Sequence, residues 1–187
     1  MTTFEEQKKK SAKPLLWISM VSMSMIFAGL SSGYIVAKSD NWLFYEIPIW
    51  FYISTICIVA SSFTMHKAKG LIKNDQQLES VKWIKITIAL GVSFAISQFL
   101  VWSSLIDQEF YFTGPGFKPS SGFLYVFTLL HLLHLVGGLV VLFVCWYKAA
   151  NLKYSNGNSL GFELASIFWH FLDILWVYLF LFLLLIR

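Results

Sequence analysis

The sequence predicts an all-α integral membrane protein, a bundle of five transmembrane helices. Of its 187 residues, 57% are hydrophobic and only 13% are charged. The apolar residues gather into five runs, each long enough at ~1.5 Å per residue to cross a hydrocarbon core ~30 Å thick. This composition excludes an ordinary soluble protein, and the length suits a single transmembrane domain over residues 1–187.

Polar segments separate the five predicted spans. The spans are placed at residues 14–37, 46–66, 83–106, 122–148 and 162–187. The first span begins at Pro14, where a missing N–H costs little at a helix start. The polar, lysine-rich segment 70–82 is predicted to be a loop between the second and third spans.

The basic residues predict the orientation. With the N-terminus inside, eleven of the 14 lysines and arginines flank the inner ends of the spans. The outer ends carry only Lys38, Lys118 and Arg187. Because cytoplasmic loops are enriched in lysine and arginine, the N-terminus is predicted inside and the C-terminus outside. The net charge of +4 therefore reflects topology and does not indicate a nucleic-acid partner.

The fifth span contains an acidic residue. Between Glu163 and Arg187 the only acidic, basic or histidine residues are His170 and Asp173, which share a helix face because they are three apart. An aspartate at the centre of a bilayer costs roughly 2.5 to 3.5 kcal/mol, so Asp173 needs a protein partner. Helix rise places it at a depth similar to that of His134 in the fourth span. We therefore expect Asp173 to pair with a histidine of the fourth span, His134 before His131.

The intramembrane histidines allow three interpretations. His131, His134 and His170 are candidate haem or metal ligands, but their estimated depths do not match. A proton relay or transport site is the second interpretation, although no pair of interrupted helices marks a substrate site. The third, which we favour, is a structural polar cluster of His131, His134, His170 and Asp173. No metal-ligand spacing and no catalytic constellation is present in the sequence.

Three motifs resemble the signature of subunit III of the haem-copper oxidases. They occur in the family's order and on its last two helices, and they read His131-Leu132-Leu133-His134-Leu135-Val136-Gly137, Gly161-Phe162-Glu163 and Trp169-His170-Phe171-Leu172-Asp173-Ile174-Leu175-Trp176. Glu46 and Gln98 also fall at positions that look like those of the family. The chain resembles the short, five-helix bacterial form, and Met23 stands where longer members carry a membrane glutamate.

The resemblance implies a non-catalytic core subunit of a proton-pumping terminal oxidase, which reduces oxygen to water. Such a subunit packs against subunit I, assembles with subunit II and binds phospholipid in the bacterial cytoplasmic (inner) membrane. It binds no cofactor itself, since haem and copper belong to partner subunits. Candidate contacts with lipid or subunit I are Glu46, Gln98, Glu163, Trp169 and Trp176. An independent membrane haem protein, or a small transporter using the three histidines, remains the alternative.

Overall fold

Five long α-helices form the protein. The computed structural model describes residues 4–38, 47–74, 76–108, 110, 112, 119–152, 154 and 160–186. The helices are α1 (Phe4–Ala37), α2 (Ile49–Lys73), α3 (Gln77–Asp107), α4 (Pro119–Ala150) and α5 (Leu160–Ile186). All five are long and apolar enough to cross a membrane, and no strand occurs among the described residues. The all-α, five-helix fold class is thus confirmed.

The helices extend beyond the predicted spans. α2 continues to Lys73 and α3 begins at Gln77, so most of the loop predicted over residues 70–82 is helical. α1 starts ahead of Pro14, which lies inside the helix and not at its start. Hydropathy marks only the part of a helix that crosses hydrocarbon. Backbone hydrogen bonding continues through the polar flanks, because lysine, glutamate and glutamine are good helix formers.

α5 is the central helix of the bundle. It packs directly against α1, α2 and α4, and α3 completes the bundle by packing against α2 and α4. α1 and α2 do not pack against each other within the described residues. Both contact α5, which therefore lies between them and is open there, with Ile174 at 70% exposure. We call this the α1–α2 groove.

α1 and α5 run parallel and are joined along their length. At the first turn of α5, Glu163 Oε2 lies 3.1 Å from Lys13 Nζ of α1. At mid-span, Tyr178 donates a hydrogen bond of 3.0 Å to Ser31 Oγ. At the other end, Lys38 Nζ donates to the carbonyl of Ile186 at 2.9 Å. These contacts hold α1, which also packs against α4, to the central helix.

Tyr154 connects the start of α3 with the α4–α5 connection. Its carbonyl accepts a hydrogen bond from Gln77 Nε2, and its ring packs edge-on against Phe162 at 5.9 Å between centroids. Burial raises the pKa of the Tyr154 hydroxyl above its ordinary value. The phenol therefore stays neutral, which suits its buried position in this connection.

Candidate functional site

Two tryptophans of α5 reach across the bundle to α2. The indole N–H of Trp169 donates to Ser61 Oγ at 3.0 Å, and that of Trp176 donates to Thr55 Oγ1 at 3.1 Å. Both side chains are almost completely buried. Because a buried indole N–H needs an acceptor, these bonds allow the large apolar rings to pack in the core.

Trp169 fits against two glycines. A Cβ atom added to Gly91 on α3 would lie 2.8 Å from Trp169 Cη2. One added to Gly138 on α4 would lie 3.3 Å from Trp169 Cε3 and Cζ3. The absence of side chains at these positions lets α3 and α4 close onto the indole ring. We call this arrangement the Trp169 slot.

His131 is fully buried between aromatic rings. Its ring centroid lies 5.0 Å from that of Trp176 and 5.8 Å from that of Phe94 on α3. Neither ring nitrogen has a hydrogen-bond partner among the described residues, and the same holds for both amide atoms of buried Gln98. His131 therefore acts in this bundle as a packed aromatic ring.

His134 faces α1, whereas His131 faces α3 and α5. Its Nδ1 lies 2.7 Å from the carbonyl of Leu130, on its own helix. Its ring packs near Phe27 of α1, at 6.1 Å between centroids. No ion pair or hydrogen bond joins His134 to Asp173. The pairing expected from depth is therefore not formed, because His134 points towards α1 while Asp173 points towards α2.

Asp173 lies on the α2 side of α5 with His170. Its Oδ2 is 3.9 Å from His170 Nδ1, and that nitrogen is 2.7 Å from Ser62 Oγ. The hydroxyls of Ser61 and Ser62 lie beside the carboxylate, but Ser61 donates instead to the carbonyl of Ile58 at 2.7 Å. Ser62 Oγ is engaged with His170 Nδ1 instead, so neither oxygen of Asp173 has a hydrogen-bond partner of good geometry among the described residues.

The four residues of the predicted polar cluster thus occupy three places. His170 and Asp173 lie together against α2, His131 lies in the core of α3, α4 and α5, and His134 lies against α1. The three histidines therefore do not face a common space in which a haem could lie. Among the described side chains, no three His, Cys, Asp or Glu residues are grouped as metal ligands.

The residues predicted to contact lipid or subunit I also lie in different places. Gln98, Trp169 and Trp176 are buried inside the bundle at 0–1% exposure. Their burial does not fit an outward contact, because their side chains pack against other helices of the same chain. Glu163 is partly exposed beside Lys13, and Glu46 lies outside the described residues.

The Lys13–Glu163 ion pair is expected to add little stability. Its side chains are 48% and 37% exposed, so water and salt screen the attraction. We expect Lys13→Ala to lower the free energy of unfolding by less than ~1 kcal/mol, close to the effect of Lys82→Ala at another exposed lysine. Thermal unfolding of the purified variants at two salt concentrations measures this change in the free energy of unfolding. A loss of several kcal/mol would contradict the assignment as a weak surface pair.

The Trp169 slot was not predicted from the sequence. The sequence places Gly91 and Gly138 inside apolar spans, where glycine has no turn to make and weakens a helix. That cost indicates a close approach of another element, and in membrane helices small residues mark such contacts. The sequence does not say that the partner of both glycines is a tryptophan from a third helix.

Comparison with known proteins assigns the family. The family model described as cytochrome c oxidase subunit III matches residues 42–186. The chain is 31% identical over 177 residues to cytochrome c oxidase subunit 3 of Synechocystis, which covers 87% of this chain and 70% of that protein. It is 29% identical over 173 residues to the Thermostichus vulcanus protein of that name, covering 88% and 82%.

A third relative is longer than this chain. The probable cytochrome c oxidase subunit 3 of Rickettsia prowazekii is 30% identical over 178 residues, which cover 90% of this chain but 61% of that protein. The family model and all three relatives agree with the resemblance carried by the motifs of α4 and α5. That resemblance is therefore confirmed, and the chain belongs to the cytochrome c oxidase subunit III family.

Proposed function

We propose that this chain is subunit III of a proton-pumping haem-copper terminal oxidase, a non-catalytic core subunit that works within the assembled complex. The observation that carries this proposal is the family match over residues 42–186. The packing of the motifs of α4 and α5 supports it, since Trp169, Trp176 and His131 are engaged within the bundle. Haem and copper then belong to the partner subunits, and this chain contributes no catalytic residue.

The proposed place of the chain is the bacterial cytoplasmic membrane, next to subunit I and in the same complex as subunit II. One end of the bundle carries most of the described lysines, namely Lys13, Lys67, Lys69, Lys73, Lys82, Lys85 and Lys148. Lys38 lies at the opposite end. The positive-inside rule then places the lysine-rich end in the cytoplasm, with the N-terminus inside and the C-terminus outside.

Phospholipid binding is proposed for the α1–α2 groove. At the lysine-rich end, a cavity of about 180 Å³ is lined by Lys69, Lys73 and Glu163. Deeper in the groove, a cavity of about 340 Å³ is lined by residues of α1 and α5 that are mostly apolar and include Ile174. Glu163 and Ile174 are eleven residues apart, or roughly 16 Å along the helix, about half the hydrocarbon thickness. An anionic headgroup at the lysines and one acyl chain in the groove fit this spacing.

Purification in mild detergent tests the proposed function. The chain is isolated through an affinity tag, its optical spectrum is recorded, and the accompanying proteins are identified. We expect a large haem-containing and copper-containing partner, and a haem spectrum that is lost when that partner is removed. Haem retained by the lone chain would overturn the proposal and favour an independent membrane haem protein.

Lipid binding is tested on the same complex. We expect native mass spectrometry to detect bound phospholipid that is reduced by the double substitution Lys69→Ala and Lys73→Ala. The matched control is Lys82→Ala with Lys85→Ala, which removes two lysines from the same end but outside the cavity. Equal lipid retention in both double variants would exclude the cavity as the headgroup site.

A further inference from the structure

A row of ionisable side chains follows the contact between α2 and α5. Lys69 and His66 lie one turn apart near the lysine-rich end of α2, and the ring of His66 lies 6.5 Å from that of His170 on α5, between centroids. His170 Nδ1 lies 3.9 Å from Asp173 Oδ2. We call His66, His170 and Asp173 the α2–α5 polar file.

Exposure falls along the file from the lysine-rich end towards mid-span. His66 is exposed, the His170 side chain is 27% exposed and the Asp173 side chain is 6% exposed. Lys69 lies one turn beyond His66 on α2, towards the lysine-rich end. The file therefore runs from an exposed histidine near the lysine-rich end to a carboxyl group inside the hydrocarbon-crossing part of α5.

The carboxyl group at the inner end lacks the partners that a fixed charge needs. Neither oxygen of Asp173 receives a hydrogen bond of good geometry from a described residue. A buried carboxylate without donors carries a large desolvation cost, which a proton removes by neutralising the group. A purely structural polar group here would be better served by a neutral amide or hydroxyl, so the ionisable carboxyl requires another explanation.

The charged groups of the other helices stand apart from this file. His134 of α4 faces Phe27 of α1, and Lys13 of α1 pairs with Glu163. α1 itself presents Ser24 and Phe27 to the groove side of α5. The groups that face His170 and Asp173 therefore come from α2, namely Ser61, Ser62, His66 and Lys69.

We propose that the α2–α5 polar file is a proton-exchange path between Asp173 and the aqueous phase at the lysine-rich end of the bundle. A hydronium ion gives a proton to one ring nitrogen of His66, and the opposite nitrogen releases a proton to His170 after the rings rotate into contact. His170 passes a proton on to Oδ2 of Asp173, which becomes a neutral acid. The reverse sequence returns the proton to water, so no covalent bond other than those to hydrogen changes.

Ser62 holds the middle of the path in position. Its hydroxyl lies 2.7 Å from His170 Nδ1, the nitrogen that also faces Asp173. Imidazole suits this place because either of its ring nitrogens can accept a proton while the other releases one. The path places a proton-binding site on residues of this chain alone.

Infrared difference spectroscopy on the intact complex in liposomes tests whether Asp173 exchanges protons. A pH change outside the liposomes is expected to produce a band from the carbonyl stretch of a protonated carboxyl group, shifted in D₂O. Asp173→Asn is expected to remove that band, while Asp107→Asn, at an exposed position at the end of α3, leaves it unchanged. A band that persists in Asp173→Asn, or no pH-dependent band at all, would overturn the proposal.

The rate of the band's appearance tests the route. His66 is exposed, so His66→Phe preserves the fold even if Asp173→Asn does not. We expect His66→Phe to slow the response to a pH jump about tenfold, equivalent to ~1.4 kcal/mol in the barrier. His134→Phe, which changes a histidine outside the file, should leave the rate unchanged. Equal rates in wild type and His66→Phe would exclude this route, whatever the activity of the complex.

Discussion

Replacing Gly91 by valine is expected to destabilise the bundle strongly by closing the Trp169 slot. A Cβ atom at Gly91 would lie 2.8 Å from Trp169 Cη2 and 2.9 Å from Leu139 Cδ2, whereas carbon atoms pack best at ~3.5–4.0 Å. Trp169 has little room to withdraw, because Gly138 contacts the same ring and Ser61 holds its N–H. We expect a loss of about 1–3 kcal/mol or more, measured as a lower midpoint of thermal unfolding.

The matched control for this substitution is Gly137→Val on α4. Gly137 is exposed, and a Cβ atom there would meet no other atom within 4 Å. Valine also has a better helix propensity than glycine, so we expect a change within about 0.5 kcal/mol. Gly138→Val, one residue along, should resemble Gly91→Val because it faces Trp169 from the other helix. Equal stability of the Gly137 and Gly138 variants would show that the slot does not limit packing.

The number and type of helices were predictable because a bilayer imposes a simple length rule. Each of the five apolar runs corresponds to one helix that is long enough to cross it. The helix ends were less predictable, since α2 and α3 continue through polar residues that hydropathy assigns to a loop. Pro14 lies inside α1 for the same reason, because the polar residues before it are also helical.

The partner of Asp173 could not be predicted from depth alone. Depth along the membrane normal matches Asp173 with His134, but it does not say which way each side chain points around its helix. Asp173 points towards α2 and His134 towards α1. The spacing of three residues between His170 and Asp173 already placed both on one face, and that local relation is the one that the structure retains.

Replacing Trp176 by alanine is expected to cause the second large loss of stability. Its ring lies 4.7 Å from that of Phe94 on α3, 5.0 Å from His131 on α4 and 6.0 Å from Phe51 on α2, between centroids. Alanine would remove contacts with three helices at once and leave Thr55 without the indole donor. We expect a loss of about 3–5 kcal/mol from the resulting cavity, together with a lower yield of the assembled complex.

Trp17→Ala separates this packing effect from a general effect of losing a tryptophan. Trp17 lies in α1 and is 60% exposed on the surface of the bundle, so its removal leaves no internal cavity and should change stability little. Trp176→Phe should recover part of the loss, because a phenyl ring still fills much of the space while the hydrogen bond to Thr55 remains absent. If Trp176→Ala and Trp17→Ala unfold at the same temperature, α5 does not join α2, α3 and α4 through this ring. The stability of the bundle would then depend on the backbone contacts of α5 and not on its tryptophans.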